Sequence, residues 1–372
     1  MNSKFLKSGH IKLYKRENSK YWQMKLKLPM QKAIRSSTGS RIIKDAEKIA
    51  LQSFYSLIKK NDVKIKKRSK NIFKKMHLVE TADLSKKEIE FILNEANKFI
   101  SFNKKKIKKN NLLEGRTIFN LFFEDSTRTR TSFEVAAKRL GADLINVAVK
   151  DSSINKGETL LDTMTTINSM NPDVLIIRHP EEGISKKISM SVDACVINAG
   201  DGSYEHPTQA LLDALTIKSK FKKFSKLKIA ICGDILHSRV ARSNIIILSK
   251  LGATINIIGP KEWLPKNINK LPVKVFTDMK TGLKNCDIVM MLRIQKERIV
   301  GKIMQNQKTY FKKYGLDYNN LKFAKKNAFV MHPGPMNRGV EIDSKLADDI
   351  TRSLIQEQVA MGVAIRMACL DL

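Results

Sequence analysis

The sequence lacks most of the features that mark a secreted, membrane or metal-binding protein. It holds only four cysteines in 372 residues, and no two of them form a Cys-x-x-Cys pair. That spacing argues against a disulfide framework or a zinc site and is typical of a reducing compartment. No apolar run approaches the roughly 20 residues of a membrane span, and the first residues contain no secretory apolar stretch. We therefore expect a cytoplasmic protein with no membrane contact and no bound metal.

Acidic residues are scarce at one end of the chain. Residues 1–75 hold 22 Lys and Arg but only 4 Asp and Glu, a net +18 of the total +33. A strongly basic segment suits the phosphates of nucleic acid. Elsewhere the lysines, such as those at 104–106, are typical of a solvated surface. Charge thus indicates nucleic acid only through residues 1–75. A nucleic-acid binder without catalysis stays open as the rival class for the whole chain.

Three regions differ in their hydrophobic pattern. Residues 11–14 and 21–28 alternate apolar and polar side chains, which predicts half-buried strands, and residues 46–57 repeat at helical spacing. The basic stretch 64–75 is typical of a solvated linker. We therefore assign residues 1–75 to a small basic N-terminal extension and linker.

From residue 76 onward, apolar strands alternate with helices in two series. This predicts an α/β fold of two doubly wound parallel-sheet domains joined by helices. We expect the first domain at residues 76–215 and the second at 216–350. The C-terminal helix, 351–372 in the domain assignment and Ile350–Ala368 by its apolar pattern, should pack back on the first domain. Ligands of such sheets bind beyond the carboxyl ends of the strands.

A polar loop follows the first predicted strand of this region. The strand Thr117–Phe123 runs into Ser126–Arg130, and a helix is predicted at Ser132–Leu140. A helix start offers free backbone N–H groups, hydroxyls add donors, and Arg128 adds a planar fork suited to phosphate oxygens. The alternative is a capped helix with solvent-facing arginines. Nucleotide binding is not indicated, because the sequence has neither a Walker lysine loop nor a Gly-x-Gly-x-x-Gly motif.

Further motifs follow in a fixed order. They read Lys156-Gly157-Glu158-Thr159-Leu160, Arg178-His179-Pro180, His206-Pro207-Thr208-Gln209 and His332-Pro333-Gly334-Pro335. Together with Ser126–Arg130, they resemble the signature of the aspartate and ornithine carbamoyltransferases, and the resemblance covers roughly residues 76–372. It implies an enzyme that binds carbamoyl phosphate and transfers its carbamoyl group without a cofactor or a metal.

One segment distinguishes the two acceptors of that family. Residues 291–298 resemble the Arg-x-Gln-x-Glu-Arg segment of the aspartate enzymes, and the Asp-x-x-x-Ser-Met-Gly and His-Cys-Leu-Pro stretches of the ornithine enzymes are missing. Aspartate carries two carboxylates, so its pocket should present guanidinium groups. Arg239 and Arg293 both follow predicted strands, although either one alone would equally fit a surface salt bridge. The resemblance thus implies formation of N-carbamoyl-L-aspartate and phosphate, an early step of de novo pyrimidine (UMP) biosynthesis.

The resemblance also implies a role for each matching residue. The groups that act on the carbonyl or enter the site as catalytic residues are His206, Arg178, Thr129 and Lys156. Those that bind carbamoyl phosphate are Ser126, Thr127, Arg128, Thr129, Arg178, His206, Gln209, Gly334 and Pro335. Those that bind L-aspartate are Lys156, Arg239, Arg293 and Gln295, with Arg338 as a further acceptor-side residue.

Lys156 carries an implication for assembly. It matches a mobile-loop lysine that, in the family, enters the active site of the neighbouring subunit. Either Ser152 or Ser153 corresponds to the serine of that loop. A catalytic homotrimer with shared active sites is therefore implied, which in the family stands alone or pairs with separate regulatory chains.

The N-terminal extension has three interpretations. Tyr21-Trp22 in a strand, residues 35–39, and a helix with Ala46 and Ala50 resemble the arm-binding β-β-β-α domain of phage-type integrases, which implies a DNA-contacting or other accessory module. An organelle transit segment is the second interpretation, against which the ordered strand pattern and the excess of lysine over arginine count. An extension without function is the third.

Overall fold

The computed structural model describes residues 3–6, 11–26, 33–73, 75–147, 157–295 and 307–372. The chain divides into two compact units, Met1–Lys74 and Lys75–Leu372. Across the described ranges, no helix has the length and apolar character needed to cross a membrane.

The first unit is an antiparallel sheet with one long helix. Its elements are β1 (Ser3–Leu6), β2 (Ile11–Tyr14), β3 (Gln23–Leu26), β4 (Ile34–Ser37) and α1 (Ile43–Ile72), with the strands in the order β1-β2-β3-β4. Alternate residues of β2 and β3, such as Ile11 and Leu13, pack against Ala46 and Ala50 of α1. We predicted a linker at residues 64–75, and for residues 64–72 this prediction was wrong, because α1 continues to Ile72. Lysine and arginine have a high helix propensity, so a basic stretch can be helical as well as solvated.

The second unit contains two parallel sheets, which confirms the predicted α/β class. The first sheet has β5 (Thr117–Phe122), β6 (Asp143–Val147), β7 (Val174–His179) and β8 (Cys195–Asp201), in the order β6-β5-β7-β8. The second has β9 (Lys228–Cys232), β10 (Thr254–Ile258), β11 (Val273–Phe276), β12 (Ile288–Met291) and β13 (Phe329–Met331), in the order β11-β10-β9-β12-β13.

Helices surround the two sheets. They are α2 (Lys86–Phe102), α3 (Thr127–Leu140), α4 (Leu160–Asn168), α5 (Ile184–Ser189), α6 (Pro207–Lys220), α7 (Arg239–Leu251), α8 (Met279–Gly282), α9 (Gln307–Tyr314), α10 (Tyr318–Leu321), α11 (Ser344–Asp348) and α12 (Ile355–Asp371). Helix α12 packs against α2, α3 and α6, and α6 also contacts α7. The C-terminal helix therefore lies on the helices of the first sheet.

Two helices begin elsewhere than their apolar patterns predicted. Helix α3 already begins at Thr127, so most of the polar run belongs to its first turn. Helix α12 begins only at Ile355, because the preceding backbone pairs with β13: the N–H of Val330 donates to the oxygen of Arg352, and the N–H of Leu354 donates to the oxygen of Val330, both at 2.8 Å. Hydrogen bonds to the sheet thus replace the predicted first helical turn.

Both sheets have a point where the strand order reverses. In the first sheet the chain moves from β5 to β6 on one side and then to β7 on the other, and in the second it reverses between β9 and β12. Connections leave a crevice at such points, outside the carboxyl ends of the strands. The loops after β5, β7, β9 and β12 are therefore the expected place for a ligand.

Candidate active site

A cleft of about 760 Å³ opens where these loops meet. Its lining includes Ser126–Thr129 after β5, Arg178 in β7, Arg239 at the start of α7, and Arg293 after β12. The cleft thus brings together loops of both parallel sheets.

The start of α3 forms one wall. Ser126 is its N-cap residue, and the Ser126 hydroxyl makes no capping hydrogen bond to the helix. The N–H groups of Thr127, Arg128 and Thr129 occupy the first turn, where an α-helix supplies no backbone acceptor. The wall therefore presents hydroxyls, amides and the positive end of a helix dipole, which together suit an anion.

Arg128 extends from this wall to the opposite one. Partial burial, and next the positive charge of Arg293, lower the pKa of Arg128. Gly334 has a φ of +64°, and a Cβ built there would fall within the guanidinium of Arg128. A side chain at residue 334 would therefore displace the guanidinium of Arg128, and the positive φ also favours glycine there.

A buried histidine holds that loop. His332 Nδ1 accepts a hydrogen bond from the N–H of Gly334 at 2.8 Å, so its proton lies on Nε2, which donates to Glu341 Oε1 at 3.2 Å. Burial lowers the pKa of His332. The peptide between Gly334 and Pro335 is cis. The backbone of Gly334 and Pro335 lines the cleft, where the hydrogen bond to His332 holds it.

Glu124 joins two of the arginines. Its Oε1 lies 2.6 Å from Arg178 Nη2 and also pairs with Arg239 Nη2, while Arg239 Nη1 donates to the oxygen of Gly202 at 2.9 Å. Gly200 has a φ of +117°, and a Cβ there would lie 3.1 Å from Arg239 Nε. One carboxylate and a narrow glycine turn therefore fix the position of both guanidiniums.

His206 lies at the end of the first sheet and caps α6. It is 3% exposed, and burial first, then the charges of Arg178, Arg239 and Arg366, lower its pKa well below the usual value. Its backbone N–H donates to Ser243 Oγ at 2.9 Å. The imidazole is therefore neutral near pH 7 and can donate one N–H without carrying a charge.

Gln209 is oriented by a buried carboxylate one turn further along α6. Asp213 accepts hydrogen bonds from Gln209 Nε2 at 3.0 Å, from Gln358 Nε2 at 2.7 Å and from Asn244 Nδ2 at 2.8 Å. Burial raises the pKa of Asp213 to about 6. An ionised carboxylate only accepts, so the NH₂ of Gln209 must face Asp213 and its Oε1 is left to accept from a ligand.

The other wall consists of loops of the second sheet. Arg293 and Gln295 follow β12, and both are partly buried and line the cleft. Buried Asp234, after β9, accepts from the backbone of Gln295, and it accepts from the N–H of His237 at 3.2 Å. The loop after β9 thus supports the loop that carries Arg293.

Some residues named from the sequence lie elsewhere. Lys156 and the serines Ser152 and Ser153 fall outside the described residues. Arg338 does not line the cleft: it makes two 2.7 Å hydrogen bonds to Asp348 on an exposed surface. The remaining predicted binding residues all lie in the cleft lining: Ser126, Thr127, Arg128, Thr129, Arg178, His206, Gln209, Arg239, Arg293, Gln295, Gly334 and Pro335.

Sequence reasoning missed Glu124 and Arg366. Arg366 is a buried residue of α12 that reaches the cleft, with its guanidinium carbon 5.0 Å from the ring centroid of Phe133. A Cβ at Gly362 would lie 2.7 Å from Arg366 Nη1. Burial lowers the pKa of Arg366 to about 10. An arginine one turn after a glycine in an otherwise apolar helix was the available signal.

The charges of the cleft define what it can bind. Among the described lining residues there are five arginines and two carboxylates, and histidines His206 and His332 have lowered pKa values. No group of His, Cys, Asp and Glu within the described ranges is arranged to hold a metal ion. The cleft therefore suits ligands with several negative charges, held by guanidinium forks and backbone amides.

The sequence matches the models of two domains of one protein family. Residues 76–219 match "Aspartate/ornithine carbamoyltransferase, carbamoyl-P binding domain" and residues 225–372 match "Aspartate/ornithine carbamoyltransferase, Asp/Orn binding domain".

Individual relatives agree with this match. The chain is 57% identical over 296 residues to the aspartate carbamoyltransferase catalytic subunit of Pelagibacter ubique, covering 80% of this chain and 95% of that protein. It is 55% identical to the same subunit of Parvibaculum lavamentivorans, covering 82% and 93%. The crystal structure of aspartate transcarbamoylase from Trypanosoma cruzi with carbamoyl phosphate and aspartate is similar with a TM-score of 0.71 at 30% identity, covering 79% and 94%.

Proposed function

The chain belongs to the aspartate/ornithine carbamoyltransferase family, and from this premise we propose how its residues divide the reaction. It transfers the carbamoyl group of carbamoyl phosphate to the amino group of L-aspartate, which gives N-carbamoyl-L-aspartate and phosphate. The uncharged amine attacks the carbonyl carbon, a C–N bond forms, and phosphate leaves with the electrons of the broken C–O bond while the nitrogen loses a proton. The observation that carries the assignment is that Arg128 and Arg293, from the two sheets, meet in one cleft.

We propose that the start of α3 binds the phosphate group. Ser126, Thr127 and Arg128 supply hydroxyl, amide and guanidinium donors, and Arg178 approaches from β7. The anchoring of Arg178 by Glu124 supports this role, because a guanidinium held in place loses little freedom when the ligand binds.

The carbonyl group is proposed to lie between His206, Thr129 and Arg178. Negative charge develops on its oxygen as the amine attacks, and a neutral imidazole and a hydroxyl can donate to it without a proton transfer. The lowered pKa of His206 supports the neutral form. Gln209 Oε1 and the backbone at Gly334 and Pro335 would accept from the carbamoyl NH₂, consistent with the orientation that Asp213 imposes on Gln209.

The aspartate carboxylates are proposed to bind Arg239, Arg293 and Gln295, together with Lys156. The two carboxylates of aspartate need two guanidinium groups, separated by about the distance between the carboxylates. Arg239 and Arg293 line the same cleft from separate loops. We accordingly propose residues 76–215 as the carbamoyl-phosphate domain and 216–350 as the aspartate domain.

The proposed assembly is a homotrimer in which Lys156 acts on the site of its neighbour. Regulatory chains, where present, would add to such a trimer without completing its active sites. Mixing inactive Arg128→Ala and inactive Lys156→Ala chains should restore activity, since a mixed trimer contains one intact site. Proof of subunit exchange without recovered activity would contradict shared sites.

The cytoplasm is the proposed location. All four cysteines are free thiols, and a reducing compartment keeps thiols in that state.

A direct assay tests the reaction. The purified chain is mixed with carbamoyl phosphate and L-aspartate, and carbamoyl-aspartate is measured colorimetrically, with L-ornithine as the matched acceptor. We expect product with aspartate alone. Product with ornithine and none with aspartate would overturn the assignment of the acceptor.

A further inference from the structure

The sheet of the N-terminal unit has one covered face and one open face. Ile11, Leu13, Met24 and Leu26 point to α1 and are buried. Side chains alternate along a strand, so their neighbours in sequence point to the opposite face. No described element of the unit covers that outward face, and the carbamoyl-transfer chemistry does not involve it.

Strand register places a basic row across the outward face. Phe5 of β1 pairs with Lys12 of β2, Lys12 pairs with Lys25 of β3, and Lys25 pairs with Arg35 of β4. Lys12 Nζ lies 5.2 Å from the ring centroid of Phe5. Three cations on adjacent strands therefore stand side by side, with an aromatic ring at the end of the row.

A second row beside it is neutral and can form hydrogen bonds. Ser3 pairs with Tyr14, Tyr14 pairs with Gln23, and Gln23 pairs with Ser37. The hydroxyl and amide groups of this row can both donate and accept. The outward face thus combines a line of positive charge with a line of neutral polar groups.

Acidic side chains are kept off this face. In the described part of the unit, Glu17 lies in the turn between β2 and β3, and Asp45, Glu47 and Asp62 lie on α1, where Glu47 pairs with Lys4 at 2.6 Å. Like charges directly opposite each other destabilise a sheet. Neither packing nor ion pairing accounts for the row formed by Lys12, Lys25 and Arg35.

We propose that this open sheet face binds duplex DNA, with the basic row on the phosphates and the neutral row towards the base edges. Neighbouring strands lie about 4.8 Å apart, so the row spans about 10 Å, which fits the roughly 12 Å width of the B-DNA major groove. The deep, narrow major groove of duplex RNA does not admit such a face. Binders of single strands stack successive bases on several aromatic side chains, whereas the two central strands here present one aromatic ring, Tyr14, beside Lys12 and Lys25.

The test uses the full chain and a fluorescently labelled duplex of about 20 base pairs, two turns of B-DNA. Binding is followed by anisotropy between about 50 and 200 mM salt. The variant carries Lys12→Gln, Lys25→Gln and Arg35→Gln. The matched control carries Lys104→Gln, Lys106→Gln and Lys108→Gln, which removes the same charge from an exposed segment of the other unit.

We expect the parent and the control to bind alike. The sheet variant should bind roughly tenfold or more weakly, and its slope of log affinity against log salt should fall by about two to three. Its thermal unfolding should occur at or above the temperature of the parent, because the opposed like charges are gone, and its carbamoyl transfer should match that of the parent. Equal loss in both variants, tighter binding to the single strand than to the duplex, or binding to phosphatidylserine vesicles but not to duplex would each overturn the proposal. Because carbamoyl transfer is measured separately, failure of the DNA proposal leaves the enzymatic assignment intact.

Discussion

Basic residues serve two different purposes in this chain, and pairing with a carboxylate separates them. In the cleft, Arg178 is partly buried and Arg239 is buried, and both pair with the carboxylate of Glu124. On the N-terminal sheet, Lys12 and Lys25 are partly buried and Arg35 is exposed, and the three share their face with no acidic residue in the described part of the unit. A fixed guanidinium acts on one ligand atom, whereas a solvated row acts through its total charge and is screened by salt. The net charge of +33 therefore combines two groups of basic residues that act in different ways.

The largest expected effect comes from a single residue of the cleft. Arg128→Ala should lower kcat roughly 10³-fold with an unchanged circular dichroism spectrum, because a donor to the developing charge of the leaving phosphate is lost. Arg130→Ala is the matched control in the same helical turn, as Arg130 is exposed and outside the cleft lining. If both variants lose activity equally, position within the cleft does not explain the role of Arg128.

A second effect concerns the carboxylate that fixes two arginines. Glu124→Gln keeps the size of the side chain but removes the charge that Arg178 and Arg239 share, so both should shift from their positions. We expect kcat/KM to fall roughly 10- to 100-fold, the scale of a misplacement of about 1 Å. Glu134→Gln, which breaks a half-exposed pair with Lys138, is the control and should stay near the parent value.

Protonation of Asp213 should have a smaller, pH-dependent effect. With a pKa near 6, Asp213 is ionised above that pH and accepts from three amides; below it, one amide loses its acceptor and Gln209 loosens. We expect kcat/KM to fall as the pH drops through about 6. We expect no limb from His206 there, because burial first and then the charges of Arg178, Arg239 and Arg366 lower its pKa well below the usual value.

The same group has the opposite effect on stability. The folded pKa of Asp213 lies above its ordinary value of 3.8, so its contribution to folding is full below pH 3.8 and is lost as the pH rises through about 6. Asp213→Asn should lower activity several-fold above about pH 6 and should flatten the acid limb, since its NH₂ opposes one of the donors whatever the pH. An acid limb that persists unchanged in this variant would assign the limb to another group.

Deletion of the whole N-terminal unit should have the smallest effect on catalysis. Deletion of residues 1–74 removes one compact unit and none of the described cleft residues, so kcat and KM should stay those of the parent. Loss of duplex DNA binding in the same preparation would show that the basic residues of the N-terminal unit bind DNA and that the arginines of the cleft do not. A deletion that abolishes activity while the remaining chain stays folded would contradict it.

Local patterns predicted the architecture well where periodicity is strong. The two series of strands and helices gave two parallel sheets, and the polar run after Thr117–Phe122 proved to be a helix start. Element boundaries were less predictable. Ile350 belongs to an apolar pattern that continues into α12, yet the backbone at Arg352–Leu354 pairs with β13, a long-range contact that no local pattern encodes.

The cleft could be predicted only as far as the motifs reached. His206 and Arg293 lie within recognisable segments, whereas Glu124 and Arg366 act through contacts with residues distant in sequence. Arg338 lies close to a motif and was expected in the cleft, but the nearby Asp348 offers it a two-bonded partner at the surface. Proximity in sequence is a poor guide where a strong local ion pair competes.

Gly334 has a consequence for how the sequence can change over time. A side chain at this position would meet the Arg128 guanidinium, so the two residues compete for one volume although Arg128 follows β5 and Gly334 follows β13. A substitution of Gly334 requires a different conformation of Arg128 and also strains a backbone with a φ of +64°. We expect position 334 to covary among related sequences with the residues that pack around Arg128.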